Sequence, residues 1–298
     1  MNHTVRAMIM GGLGNQLFIY AAARALAVRT GGRLLLDVSR FRLDETYRRV
    51  FLLDRFPIEA YILRPGPVGR AGLLLERVIR KNALLTRWAD ILVDPGSSSP
   101  SGLLEQLVNS PPRRSVTLDG YWQSDFYFRD AEDVVRRELT PPTPSCPVAL
   151  RERAAIDAAR HPVAVAIRFY REVPGTVVDP AAVIAPFRRA LVEHHARHPE
   201  ATYFVFTEEP GYFREPSCLG VPFTAVTPRP ANEDAPTDLH LLTRCRTFFL
   251  GYSSFHWWGA WLSAAPGKAV YYLHQAGRPC HNYIPAGWEV LEWHVNAG

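Results

Sequence analysis

A short apolar run at residues 7–10 is followed at once by Gly11, Gly12 and Gly14, and residues 33–38 (RLLLDV) form a second, continuous apolar run. Between them Asn15 stands where a helix cap would, ahead of a stretch from about Gln16 to Arg29 with helical composition. Strand, glycine turn, helix and buried strand make one βαβ unit. That unit admits few folds, because parallel strands need a crossover and a parallel sheet needs both faces covered.

The second half repeats the alternation. Residues 163–167, 203–207, 246–250 and 269–273 read as strands. Residues 181–195, opened by Asp179-Pro180, read as a helix, as do 238–244 and 254–263. The middle is less regular. Leu73, Leu74, Val78, Ile79, Leu84 and Leu85 recur at threes and fours and suggest a helix over 71–93. Residues 94–100 (DPGSSSP) read as a loop, and 115–121 as a strand ending at Gly120. The stretch 140–147 (TPPTPSCP) holds four prolines and reads as a linker. A chain of 298 residues exceeds a comfortable single core. The expected fold is therefore α/β with two Rossmann-like domains facing across a cleft, residues 1–145 and 146–298. Ligands of such sheets sit beyond the carboxyl ends of the strands.

The net charge of +5 suits an anionic small molecule or contact with an acidic membrane face, and is too small to suggest nucleic acid. Cys146, Cys218, Cys245 and Cys280 form no CxxC pair and read as free thiols. No apolar run approaches the ~20 residues of a membrane span, and Met8-Ile9-Met10 lacks the cleavage site of a signal peptide. The expected location is cytoplasmic, with peripheral contact at the inner membrane.

Three constellations carry chemistry. Gly11-Gly12-Leu13-Gly14-Asn15 could bring backbone N–H groups to an anion, or be only a tight turn. Leu17 stands where a dinucleotide fingerprint needs its third glycine, and no Lys-Ser/Thr follows as in an ATP-type loop. Tyr252-Ser253-Ser254-Phe255-His256 joins a strand to a helix. Either serine could cap that helix, and the helix start could hold a phosphate. Phe255, Trp258 and Leu262 fall at core spacing, with His256 and Trp257 pointing elsewhere. Arg168, delivered at the end of the strand VAVAI, could grip a phosphate or pair with an acid such as Glu172.

Together these residues resemble the α-1,2-fucosyltransferases of glycosyltransferase family 11. Six ordered segments carry the likeness: GGLGNQLF from Gly11, LDGYWQS from Leu118, YFVFTEE from Tyr203, DLHLL from Asp238, SSFHWWGAWL from Ser253 and IPAGW from Ile284. The resemblance implies a GT-B fold and inverting transfer of fucose from GDP-fucose to a sugar hydroxyl of a surface glycan, in α-1,2 linkage. It implies no cofactor and no required metal. The implied partners are the nucleotide-sugar donor and an oligosaccharide or lipid-linked acceptor. The implied catalytic residues are Arg168 and Asn15. The implied donor-binding residues are Gly12, Gly14, Asp238, Ser253, Ser254 and Phe255.

The sequence departs from the family in one place. Where the family carries His-x-Arg-Arg-Gly-Asp, this chain reads Ala166-Ile167-Arg168-Phe169-Tyr170-Arg171. The first Arg is kept and the His, which in relatives helps read the base, is Ala166. Two alternatives stay open on that ground: another nucleotide sugar as donor, or a silent relative that binds without transferring. The proton acceptor is also open among Glu172, Asp179 and Glu208. An NAD-type oxidoreductase is disfavoured by the missing third glycine.

Overall fold

The computed structural model describes residues 3–64, 91–93, 115–169, 179–276 and 283–293. The chain divides into two compact units, Met1–Thr140 with Pro279–Pro285, and Pro141–Arg278 with Ala286–Gly298. The residues just before the last strand thus return to the first unit, which a single cut in the sequence cannot express. Tyr283 sits there fully buried, its ring 6.0 Å from that of Phe18.

In the first unit β1 (Thr4–Met8), β2 (Arg33–Asp37), β3 (Tyr61–Leu63), β4 (Ile91–Val93) and β5 (Val116–Asp119) form a sheet in the order β3-β2-β1-β5-β4. Every described pairing is parallel. Helix α1 (Leu13–Thr30) joins β1 to β2, and α2 (Glu132–Glu138) follows β5. Ile91–Val93 is a strand on β5, not the end of a helix; the rest of 71–90, and the loop expected at 94–100, lie outside the described residues. Cross-strand pairing overrides a helical pattern at so short a segment.

Helix α1 starts earlier than its sequence suggests. Gly12 is the cap residue and uses no side chain, so Gly14 and Asn15 lie inside the first turn. Asn15 does not cap. Its Oδ1 accepts from Gln123 Nε2 at 2.8 Å. The turn is set instead by Gly11, at φ 77°, where a Cβ would lie 2.8 Å from Asn15 Nδ2. Buried Gln16 then locks it: Nε2 donates to Gly11 O at 2.9 Å and to Val50 O at 2.8 Å, and Oε1 accepts from Leu52 N at 3.0 Å.

In the second unit β6 (His161–Ala166), β7 (Ala201–Phe206), β8 (Phe223–Ala225), β9 (Thr247–Leu250), β10 (Ala269–Gln275) and β11 (Glu289–Trp293) form a sheet in the order β11-β10-β9-β6-β7-β8, again parallel at every described pair. All six residues of β6 are buried, as a central strand covered on both faces requires. On one face Val163, Val165, Phe249 and Leu273 pack with Phe187 and Leu191 of α4 (Pro180–Arg197). Asp179 opens α4 as read from the sequence, accepting from Ala181 N at 3.0 Å. Helix α3 (Pro147–Ala158) begins at the last residue of the expected linker, covers a stretch with no expected element, and has proline in its first turn.

Helices α5 (Ala235–Thr243) and α6 (Ser254–Leu262) approach closely at Gly259. A Cβ there would sit 2.7 Å from Leu242 Cβ, an atom no rotamer change can move. Gly259→Val should therefore destabilise the protein by about 2–3 kcal/mol, despite the small gain in helix propensity. A lowered urea midpoint at unchanged slope would register it.

No helix among the described residues is long and apolar enough to cross a membrane. Cys146, Cys218 and Cys245 are free; Cys280 lies outside the described residues.

Candidate functional site

The carboxyl edge of the second sheet is built by register. Ala166 at the end of β6 pairs with Leu250 at the end of β9 and with Phe206 at the end of β7. The residues that follow each strand therefore emerge side by side: Ile167-Arg168-Phe169, Gly251-Tyr252-Ser253, and Thr207-Glu208. The apolar strand ends hold this edge in place, and the polar residues just beyond them supply its chemistry.

Arg168 is half-buried, between fully buried Ile167 and nearly buried Phe169. The loop that carries it is fixed by Glu208, whose Oε1 accepts from Phe169 N at 2.7 Å. Glu208, one of the three acids the sequence offers as proton acceptor, spends an oxygen here on positioning the loop. Asp179 serves as a helix cap, and Glu172 lies outside the described residues.

Ser253 caps α6, its hydroxyl accepting from His256 N at 3.4 Å, near the outer limit of a hydrogen bond. Ser254 is the first helical residue and half-buried. No acid stands in the first turn of α6. A helix start with two hydroxyls, no carboxylate and an arginine on the neighbouring strand end suits an anion. The core assignment on α6 needs correcting. Phe255 and Leu262 are only half-buried, whereas His256, Trp257, Trp258 and Trp261 are buried. A helix apolar all round has no exposed face for periodicity to find.

Position 256 holds a buried imidazole. Burial, with the Arg168 charge adding to it, pushes His256 down to about 3, so the ring is neutral near pH 7. Neutral imidazole leaves the positive field of Arg168 and the helix start undiluted but unincreased. The sequence places His256 off the core spacing of α6, and no signal in its spacing marks it as part of the site.

Asp238 lies in the first turn of α5. Its Oδ1 accepts from Arg229 Nη1 at 2.6 Å, and Arg229 also holds Glu152 through Nη2 and donates to Thr227 O at 3.1 Å. Burial nonetheless pushes the Asp238 carboxyl up to about 6, with the Glu152 and Asp234 charges adding to the rise and Arg229 opposing it. A carboxyl here repels phosphate and suits a hydroxyl or N–H donor. The Arg229 bridge was missed in the sequence because a proline-bearing loop separates it from α5.

Gly12, Gly14 and Asn15 lie in the first unit, just past the carboxyl end of β1, with Gln123 beyond the end of β5. The expected residues thus form two groups, Gly12, Gly14 and Asn15 in one unit and Arg168, Asp238, Ser253, Ser254 and Phe255 in the other.

The sequence model of the family described as "Glycosyl transferase family 11" matches residues 98–280, more than half the chain. The chain belongs to glycosyl transferase family 11. A curated relative, an alpha-1,2-colitosyltransferase of Escherichia coli, is 22% identical over 262 residues, 87% of either chain. Among solved structures, a NodZ alpha-1,6-fucosyltransferase soaked with GDP-fucose is 18% identical, with a TM-score of 0.53 over 88% of this chain and 93% of its own. An Arabidopsis thaliana FUT1 variant in complex with GDP is 12% identical, with a TM-score of 0.53 over 91% of this chain and 70% of its own. At these identities the structures establish the fold, which is of the GT-B type. This family 11 protein is thus a glycosyltransferase with two α/β units, each built on a parallel sheet, and Arg168 stands just past the carboxyl end of β6.

Proposed function

We propose that this family 11 glycosyltransferase moves fucose from GDP-fucose to a sugar hydroxyl of a surface glycan, in α-1,2 linkage and with inversion. The observation that carries the reading is the alignment of Ala166 with Leu250, which sets Arg168 beside the acid-free start of α6. The acceptor oxygen attacks the anomeric carbon, the bond from that carbon to the phosphate oxygen breaks, and the electron pair leaves with GDP. Arg168, Ser253, Ser254 and the N–H groups of α6 oppose the charge that grows on the diphosphate. Asp238 takes a hydroxyl or base N–H of the donor, and Phe255 packs on it. Acceptor recognition falls to the first unit, which also carries Gly12, Gly14 and Asn15, the residues read for donor binding and catalysis. The hydroxyl proton leaves to solvent or to a carboxylate within hydrogen-bond reach. No step calls for a metal.

A second reading keeps the chemistry and changes the donor. It is favoured by Ala166, which offers the base no side-chain hydrogen bond, and by the colitosyl relative. The same assay separates the two. The protein is incubated in EDTA with a galactose-ended oligosaccharide and either GDP-fucose or nucleotide-linked colitose, and the product linkage is read by NMR. An α-1,2-fucosylated product is expected. Colitosyl transfer alone would move the donor, and transfer from neither, with nucleotide still bound, would make the protein a silent relative.

A further inference from the structure

The opposite, amino-terminal edge of the second sheet carries a group that transfer chemistry does not use. His161 is the first residue of β6, His198 ends α4 as its C-cap, and Glu200 precedes β7. One ligand atom from each lies within 4.8 Å of the others. We propose that His161, His198 and Glu200 bind a divalent transition-metal ion such as zinc, which clips the end of α4 to the starts of β6 and β7.

The distances fit such an ion. His161 Nδ1 is 3.3 Å and His198 Nδ1 is 3.6 Å from Glu200 Oε1. Tetrahedral zinc with bonds of about 2.0–2.1 Å has ligand-to-ligand edges of about 3.3–3.4 Å. Two of the three edges are therefore nearly in place, and closing the third needs only a shift of one half-exposed side chain. A proton can serve one imidazole–carboxylate contact at a time, whereas a divalent ion satisfies two imidazole lone pairs and the carboxylate together. Two imidazoles with one carboxylate favour zinc and its neighbours over magnesium or calcium.

The surroundings support the ligands. His161 Nε2 meets Thr247 Oγ1 at 2.9 Å, the kind of contact that orients a metal-binding ring and leaves Nδ1 for the ion. The backbone of His198 is tied on both sides, its N–H to His194 O at 2.9 Å and its carbonyl to Ala201 N at 3.0 Å. The side chains of His198 and Glu200 are 40% and 39% exposed, so an ion can enter and keep a water as fourth ligand. His194 lies behind them, its ring 4.6 Å from that of His198 and its Nδ1 2.9 Å from Tyr203 OH. The nearest cation on α4, Arg197, donates to Glu193 O at 3.3 Å.

The full chain, stripped with a chelator and desalted, is titrated with zinc chloride against a chromophoric competitor. One zinc per chain is expected, with cobalt(II) giving the visible spectrum of a tetrahedral site. His198→Ala and Glu200→Gln, both at exposed positions, should weaken binding by about 10–100-fold or more, and His195→Ala, next to the site on α4, should not. Free zinc at 100 times its Kd should shift the folding equilibrium about 100-fold toward the native state in wild type and not in His198→Ala. Wild type taking up no zinc, or His198→Ala and Glu200→Gln binding it as tightly as wild type, would overturn the proposal. The readouts are binding and stability, so the result stands apart from whether the protein transfers fucose.

Discussion

Arg168→Ala is expected to lower kcat by about 10²–10³, equivalent to roughly 3–4 kcal/mol of lost transition-state stabilisation. The loss should fall on kcat more than on KM, because charge on the leaving diphosphate grows as the glycosidic bond breaks. Arg168→Lys should recover part of it, since the charge returns without the planar fork that grips two oxygens. The fold should survive either change. Arg168 is half-buried, and its loop is held independently by the bond from Phe169 N to Glu208 and by the burial of Ile167 and Phe169. Unchanged circular dichroism alongside the kinetic loss would separate chemistry from unfolding. Turnover within about threefold of wild type would remove Arg168 from the mechanism.

Arg229→Ala should act on stability, by about 3–5 kcal/mol at neutral pH. The guanidinium is only 6% exposed and bridges Glu152 of α3 to Asp238 of α5, whose side chains are 16% and 20% exposed. Removing it leaves two carboxylates facing each other with little water to screen them. The pH dependence has a defined sign. The Asp238 carboxyl is already pushed up to about 6 in the folded protein, against 3.8 as a free group. The folded state therefore binds more protons than the unfolded state between those values, and this group's burden lightens as pH falls through 6. Without Arg229 that folded value climbs further. The penalty of Arg229→Ala should then be smaller at pH 5 than at pH 7, as denaturant melts at the two pH values would register. An equal penalty at both would mean that Arg229 acts through packing alone.

How far the sequence revealed these features depended on the range of the forces involved. β6 was legible because a central strand buried on both faces must be a continuous apolar run, and VAVAI is one. The start of α6 was legible because Ser253 caps by a bond three residues away. The start of α1 was misread for the converse reason. Asn15 has the chemistry of a cap, but the turn is fixed by Gln16 bonding to Val50 and Leu52, some 35 residues distant. The face of α6 could not be read from periodicity, because the helix is buried nearly all round. The short strands β8 and β11 escaped notice. In β11, an edge strand, Val290 and Leu291 stand side by side between two glutamates and break the period-two pattern, and β8 is only three residues long. His161, His198 and Glu200 are brought together by strand register, which no spacing in the sequence expresses.

The central claim is that the edge formed by Arg168, Ser253 and Ser254 holds a nucleoside diphosphate of one kind. Calorimetric titration with GDP, UDP, CDP and dTDP, in EDTA, on wild type and on Arg168→Ala, tests it most directly. The account expects wild type to bind GDP in preference to the other three, and Arg168→Ala to bind it at least tenfold more weakly. If none of the four binds, or if Arg168→Ala binds GDP as wild type does, the donor site is not where these residues put it.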